Sequence, residues 1–242
     1  GFVVQEKSST EVSVGIPSWR PDCTSEVDVI EEIARHYGYD ALGKSVPHSP
    51  VHGRLSLVQQ RRRLVHEVLV EAGWCEAMPN PFLDPLATQL AGIDDTAQLA
   101  LVNPLVAEES VLRVSLRPGL LRTIAYNQSH RIRDISLFEI GHVYPQGTEV
   151  LPDEFESLCI MVAGADASVA MDLWSQISSS LGVGAQLAQD QPPAGYHATR
   201  SAQLKRGKMV LGSVGEIDPT VLANAGIVGR VACVEVNLSV VL

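Results

Sequence analysis

The chain has 242 residues, 45% hydrophobic and 19% charged, enough for one large domain or two small ones and unlike a disordered or coiled-coil sequence. Its 18 basic and 28 acidic residues leave a net charge of −10, which argues against non-specific coating of nucleic acid while leaving local contact with RNA open. No apolar stretch is long enough to span a membrane, and no secretory leader opens the chain, so a cytoplasmic protein is expected. The first residue is Gly1, not Met, and the chain reads as a processed product or a piece of a longer one. Cys23, Cys75, Cys159 and Cys233 lie too far apart for zinc spacing and read as reduced thiols.

Residues 11–16 alternate as a strand does, with Val12, Val14 and Ile16 on one face. Pro17 and Pro21 hold the next stretch extended. A helix follows from Ser25 to Tyr37, with Ser25 and Asp28 as a capping box, Gly38 as its stop, and a buried stripe of Val27, Ile30, Ile33, Ala34 and Tyr37. Gly43, Pro47, Pro50 and Gly53 mark a linker and a domain boundary. The longest helix runs from Leu57 to Ala72, capped by Ser56 and Gln59 and ended by Gly73. Trp74 to Phe82 reads as extended, 99–102 as a short strand, 116–129 as a helix, and 135–143 and 157–163 as strands. A helix over 171–181, a hairpin of 201–204 with 209–214 turning at Arg206-Gly207, a short helix over 219–225 and a strand over 230–238 complete the reading. No regular βαβ beat appears, so an α+β domain on a mainly antiparallel sheet is expected.

Phosphate-loop, dinucleotide-binding, nucleophile-elbow and zinc-protease signatures are all absent. Two clusters stand out. Asp28, Glu31 and Glu32 share one helix face, and Asp22 lies in the loop just before it. Such all-oxygen donors suit magnesium, although a solvated acidic face fits the spacing as well. The second cluster is basic. Arg61, Arg62 and Arg63 are consecutive on the long helix, and Arg113, Arg117 and Arg122 open a run that continues to Arg133. Arginine forks bind phosphates and carboxylates, so the run reads as an interface, an RNA-facing surface, or surface residues paired with nearby acids.

Ile16-Pro17-Ser18-Trp19-Arg20-Pro21-Asp22, then Glu26 through Arg35 and Tyr37-Gly38-Tyr39, resembles the bacterial phenylalanyl-tRNA synthetase beta subunit. So do Asn103-Pro104-Leu105, Leu112-Arg113, Pro118-Gly119-Leu120-Leu121, Ile135 through Gly141, and Gly212 through Pro219. The resemblance covers almost the whole chain. It implies a class II aminoacyl-tRNA synthetase-like antiparallel sheet flanked by helices over 54–242, preceded by a partial small α/β module over 1–46, the end of a magnesium-binding module. It places one Mg2+ ion on Asp22, Asp28, Glu31 and Glu32. The long helix resembles the first class II motif, residues 112–143 the second, and 209–242 a degenerate third. The second motif's arginine is missing at Leu137-Phe138-Glu139, and the third motif's Gly-rich strand and arginine are replaced by Val236 through Leu242. Phosphate-clamping arginines are therefore lacking, and no catalytic residue is expected. The resemblance implies a scaffold for the alpha subunit, in an assembly of two alpha and two beta subunits that attaches phenylalanine to tRNA(Phe) using ATP and magnesium. Arg61, Arg62, Arg63, Arg113, Arg117 and Arg122 are the expected partner-facing residues. The alternatives are a stand-alone ATP-dependent ligase, a free-standing metal- or RNA-binding module, and a homodimeric scaffold.

Overall fold

Gly43, Pro47, Pro50 and Gly53 disfavour regular structure, and residues 43–48 and 50–53 are neither helix nor strand. In the computed structural model, which describes residues 1–48, 50–93, 98–147 and 151–242, the chain divides into two compact units, Gly1–Arg54 and Leu55–Leu242.

The first unit is a hairpin and a helix. Strands β1 (Val3–Glu6) and β2 (Val12–Gly15) pair antiparallel, and helix α1 (Glu26–Tyr37) follows. Gly38 ends α1 at φ 100°, a conformation that side chains disfavour. The helix forms where its capping box and periodicity place it, but the expected burial of its stripe fails. Ile30, Ile33 and Tyr37 are 54, 64 and 69% exposed, and no α1 residue is buried. A two-stranded hairpin offers too little surface to cover an amphipathic helix.

The second unit begins with helix α2 (Leu57–Glu71), whose Ser56 Oγ accepts from Gln59 N at 3.2 Å while Gln59 Oε1 accepts from Ser56 N at 2.8 Å. Then come β3 (Cys75–Glu76), β4 (Phe82–Leu83), the short helix α3 (Ala87–Leu90), β5 (Val111–Leu112) and helix α4 (Arg117–Ser129). Strands β6 (Ser136–Val143) and β7 (Phe155–Ala163) form a long antiparallel pair. Helix α5 (Ala167–Leu181) starts four residues before the periodicity suggests, because Asp166 caps it by accepting from Ser168 N. The chain ends with β8 (Gln186–Ala188), β9 (Tyr196–Arg206), β10 (Met209–Ile217), α6 (Pro219–Asn224), β11 (Val231–Asn237) and α7 (Leu238–Val241). The expected strand over 99–102 is reduced to an isolated bridge between Ala100 and Val111.

Seven strands form one sheet in the order β3-β6-β7-β11-β10-β9-β8. Every pair is antiparallel except β3 with β6, which run parallel. Strand alternation then sorts the core into two layers. Phe138, Leu158, Ile160 and Val234 meet residues of α2 and α5, including Leu69 and Trp174. Cys159, Met161, Val231 and Cys233 meet residues of α4 and α6, including Leu120, Ile124 and Leu222. The structure is thus α+β with helices on both faces of a mixed sheet.

Candidate functional site

In the first unit the acidic cluster is organised around an arginine. Arg20 Nη2 lies 2.6 Å from Asp22 Oδ2 and 2.7 Å from Glu32 Oε1, and Arg35 Nη2 lies 2.5 Å from Glu32 Oε2. The Arg20 guanidinium holds the Asp22 carboxyl down at about 2, and Arg20 with Arg35 holds Glu32 at about 2. Asp28 has another task. Its Oδ2 accepts from Ser25 Oγ at 2.8 Å, from Ser25 N at 2.7 Å and from Thr24 N at 2.8 Å, and these bonds lower its pKa. Glu31 points into solvent. Arg20 is the residue the spacing argument passed over. Its signal was present in the sequence, a lone arginine two residues from Asp22. Three of the four carboxylates are thus engaged by cations or by backbone amides, and among the described residues no three His, Cys, Asp or Glu side chains are grouped to hold a metal. In this arrangement the four do not form a ready magnesium cage.

In the second unit the arginine run splits. Arg113 and Arg117 are interior, with side chains 9 and 8% exposed. The partner-facing expectation does not describe these two, because carboxylates on the sheet draw them inward. Arg113 Nη1 lies 2.5 Å from Glu139 Oε1 on β6, and Arg113 Nε donates to the His142 carbonyl at 2.8 Å. Gly141 makes this possible, since a side chain there would collide with the guanidinium. Arg117 Nε donates to Glu235 Oε2 on β11 at 2.9 Å, and its Nη1 donates to the Ala194 carbonyl at 2.7 Å. The same guanidinium lies 5.0 Å from the centre of the Tyr196 ring. Glu235 also caps α4, its Oε1 accepting from Leu116 N at 2.9 Å and from Ser115 Oγ at 2.7 Å. Glu235 thereby joins the centre of the sheet to the start of a helix.

Glu139 and Glu235 were absent from the expected site residues. Their signal was a single carboxylate inside an otherwise apolar strand, Leu-Phe-Glu-Ile and Ala-Cys-Val-Glu-Val, which is costly unless a cation waits inside. Burial pushes Glu139 up to about 7, with Arg113 opposing and Glu235 and Glu76 adding to the rise. Its Oε2 is buried without a hydrogen-bond partner among the described residues. Beside this network Cys159 and Cys233 are buried with their sulfurs 3.9 Å apart, and the Tyr196 hydroxyl lies 3.2 Å from Cys233 Sγ.

The remaining arginines lie nearer the surface. Arg61 on α2 donates to the Leu242 carbonyl, Arg62 pairs with Glu156 at 2.6 Å, and Arg63 and Arg122 are exposed. Among the described residues no helix is long and apolar enough to cross a membrane.

Comparison with known proteins follows the same division. Residues 42–238 match the family model described as phenylalanyl tRNA synthetase beta chain CLM domain, and residues 1–39 match the tRNA synthetase B5 domain. The chain is 30% identical to the phenylalanine–tRNA ligase beta subunit of Bifidobacterium longum, over 99% of this chain and 33% of that protein. It is 32% identical to that of Geobacillus kaustophilus, over 86% of this chain and 28% of that protein. The chain therefore spans about a third of the length of the curated relatives it matches. Among solved structures it is similar to a pyrrolysyl-tRNA synthetase from Desulfitobacterium hafniense, with a TM-score of 0.61 at 16% identity, over 94% of this chain and 80% of that one. At that identity the likeness speaks for the class II fold.

Proposed function

We infer the role of this chain from a premise its matches establish: it belongs to the phenylalanyl-tRNA synthetase beta chain family, through the CLM and B5 domains. Its role is that of a non-catalytic structural part of phenylalanine–tRNA ligase. It assembles with and supports the alpha subunit, which aminoacylates tRNA(Phe) in the cytoplasm with ATP and magnesium, as two alpha and two beta subunits. Residues 1–46 are the end of the magnesium-binding module, and 54–242 are the catalytic-like domain without an active site.

The observation that carries this reading is the fate of Arg113 and Arg117. Adenylate chemistry needs cations free to meet the phosphates of ATP. Here Arg113, just after β5, and Arg117, at the start of α4, are buried and already paired with Glu139 and Glu235. Arginines held in internal ion pairs serve architecture rather than phosphate binding. The outward partner surface is then α2, with Arg61, Arg62 and Arg63, rather than the Arg113–Arg117 segment. In the first unit, magnesium on Asp22, Asp28, Glu31 and Glu32 is supported by the B5 match and by the donor chemistry. In the geometry described, the ion has to take Asp22 and Glu32 from Arg20.

The test is light scattering after gel filtration, for the chain alone and mixed with the alpha subunit of the same organism. A stable mixed complex is expected, weakened by Arg62→Glu and Arg63→Glu. A well-folded chain that elutes apart from the alpha subunit, or only as its own dimer, overturns the reading. So does ATP–pyrophosphate exchange catalysed by the chain alone.

A further inference from the structure

In the second unit three helices meet around a cleft of about 240 Å³. Ala87 and Ala91 of α3, Leu121 and Ala125 of α4, and Ala225 just past α6 line it. The space exists because four of these five side chains are single methyl groups. Ala91 and Leu121 are each 3% exposed, so the floor reaches the core, while Leu90, 50% exposed, stands at the mouth. The walls are fixed by close backbone packing. Gly92 follows α3 at φ 67°, and a Cβ there would meet Gly195 Cα at 2.7 Å and Val221 Cγ2 of α6 at 2.8 Å. Helix α3 is thereby seated against α6, and the cleft is formed before any ligand arrives. Its polar groups are unequal. Arg122 on α4 lines the cleft, is exposed and, among the described residues, forms no ion pair. Asp84 lines it too, but its Oδ1 already accepts from Leu86 N at 2.7 Å. Asn224 is the remaining polar side chain.

An apolar floor holds water poorly, because a trapped water needs two to four polar partners. A free guanidinium beside that floor suits an anionic head attached to an apolar body. We propose that this cleft binds an apolar monocarboxylate of the size of a medium-chain fatty acid. The alkyl chain lies among the alanines of α3 and α4, and the carboxylate meets Arg122. Volume sets the length: at ~30 Å³ for a group the size of a water, the cleft takes about eight carbons. Charge sets the head: Arg122 balances one negative charge, and Asp84 in the same cleft opposes a second. The site is independent of the assembly reading and is measured on the chain alone, so failure of one leaves the other standing.

The experiment is titration calorimetry of the whole chain with hexanoate, octanoate and decanoate, backed by the shift each gives in the thermal unfolding midpoint. Each buried methylene should tighten binding about fourfold, so octanoate should bind roughly tenfold more tightly than hexanoate. Decanoate should gain little more, because the cleft is then full. Octylamine, with the same chain and the opposite charge, should bind at least about tenfold more weakly than octanoate. Arg122→Gln should weaken octanoate roughly tenfold or more, while Arg122→Lys, which keeps the charge, should lose less. Ala87→Leu fills the cleft and should abolish binding; if that variant fails to fold, Arg122→Gln at its exposed position still decides. The proposal is overturned if octanoate leaves both the heats and the midpoint unchanged, or if octylamine binds as tightly. It is equally overturned by affinity that climbs as steeply from octanoate to decanoate as before, or by Arg122→Gln binding as the parent does.

Discussion

Replacing Glu235 by leucine removes one half-buried carboxylate and three of its bonds at once. Arg117 keeps only the Ala194 carbonyl and the Tyr196 ring, in a site where its side chain is 8% exposed. Breaking a buried pair by deleting one partner costs about 3–5 kcal/mol, mainly the penalty of the stranded charge. Loss of the acceptor for Leu116 N and Ser115 Oγ adds about 1 kcal/mol, as loss of a helix cap does. Glu235→Leu should therefore destabilise by about 4–6 kcal/mol. With a urea slope of about 2.5 kcal/mol/M, the unfolding midpoint falls by roughly 2 M, read by circular dichroism at 222 nm. Arg117→Met combined with Glu235→Leu removes both charges and should cost only about 1–2 kcal/mol, mostly the cap. If Glu235→Leu fails to fold, Glu235→Gln, which keeps an acceptor for the cap, provides the cycle instead. A midpoint shift for Glu235→Leu worth less than about 1 kcal/mol, or a double variant no better than the single one, refutes the claim that a stranded Arg117 dominates.

Glu139 gives a pH signature. Its folded pKa, raised by burial from 4.5 to about 7, lies above the unfolded value, so the folded state holds an extra proton between the two. Its contribution to stability is therefore fully present below about pH 4.5 and is lost as pH rises through about 7; Glu139→Gln should flatten the urea midpoint between pH 5 and 8, and an unchanged pH slope would tell against a raised carboxyl. In the first unit, Arg20→Ala should tighten magnesium binding measured by titration calorimetry, because Asp22 and Glu32 are set free, and Asp28→Asn should weaken it; unchanged affinity in Arg20→Ala would mean that Arg20 and the ion do not compete. Leu69→Ala in α2, beneath the sheet, should cost about 2–5 kcal/mol, whereas Ile33→Ser on the exposed stripe of α1 should stay within about 0.5 kcal/mol in this chain, both by urea titration. Equal losses at the two positions would show that the α1 stripe is covered in solution.

Local chemistry was legible where the information is local. Ser56 with Gln59, Ser25 with Asp28, and the turn at Gly207, which adopts φ 63°, are written within a few residues, and the helices and hairpin form there. Periodicity in α1 announced an apolar face but not a partner for it, because a moment is a property of the helix and burial is a property of what lies beside it. The arginine run misled for the same reason. Arg113 finds its carboxylate 26 residues away and Arg117 finds its own 118 residues away, so neither pairing leaves a local spacing to read. Strand β8 escaped notice because its three residues pair with only three of β9. Helix-face geometry, which together with the family resemblance points to magnesium, gathers Asp28, Glu31 and Glu32 on one side but does not foresee that Arg20 pairs with Glu32.

The strand order has a consequence for synthesis on the ribosome. Strands β6 and β7 can pair as soon as they emerge, and β8, β9 and β10 can do the same later, each by neighbouring connections. The two halves share no ladder until β11 slides between β7 and β10. Glu235, the carboxylate that neutralises Arg117 and caps α4, arrives on that same last strand. A nascent chain halted just before residue 231 would thus hold two open sheet edges and an unpaired interior arginine together. Such an intermediate invites edge-to-edge aggregation, and both liabilities are retired by a single late insertion.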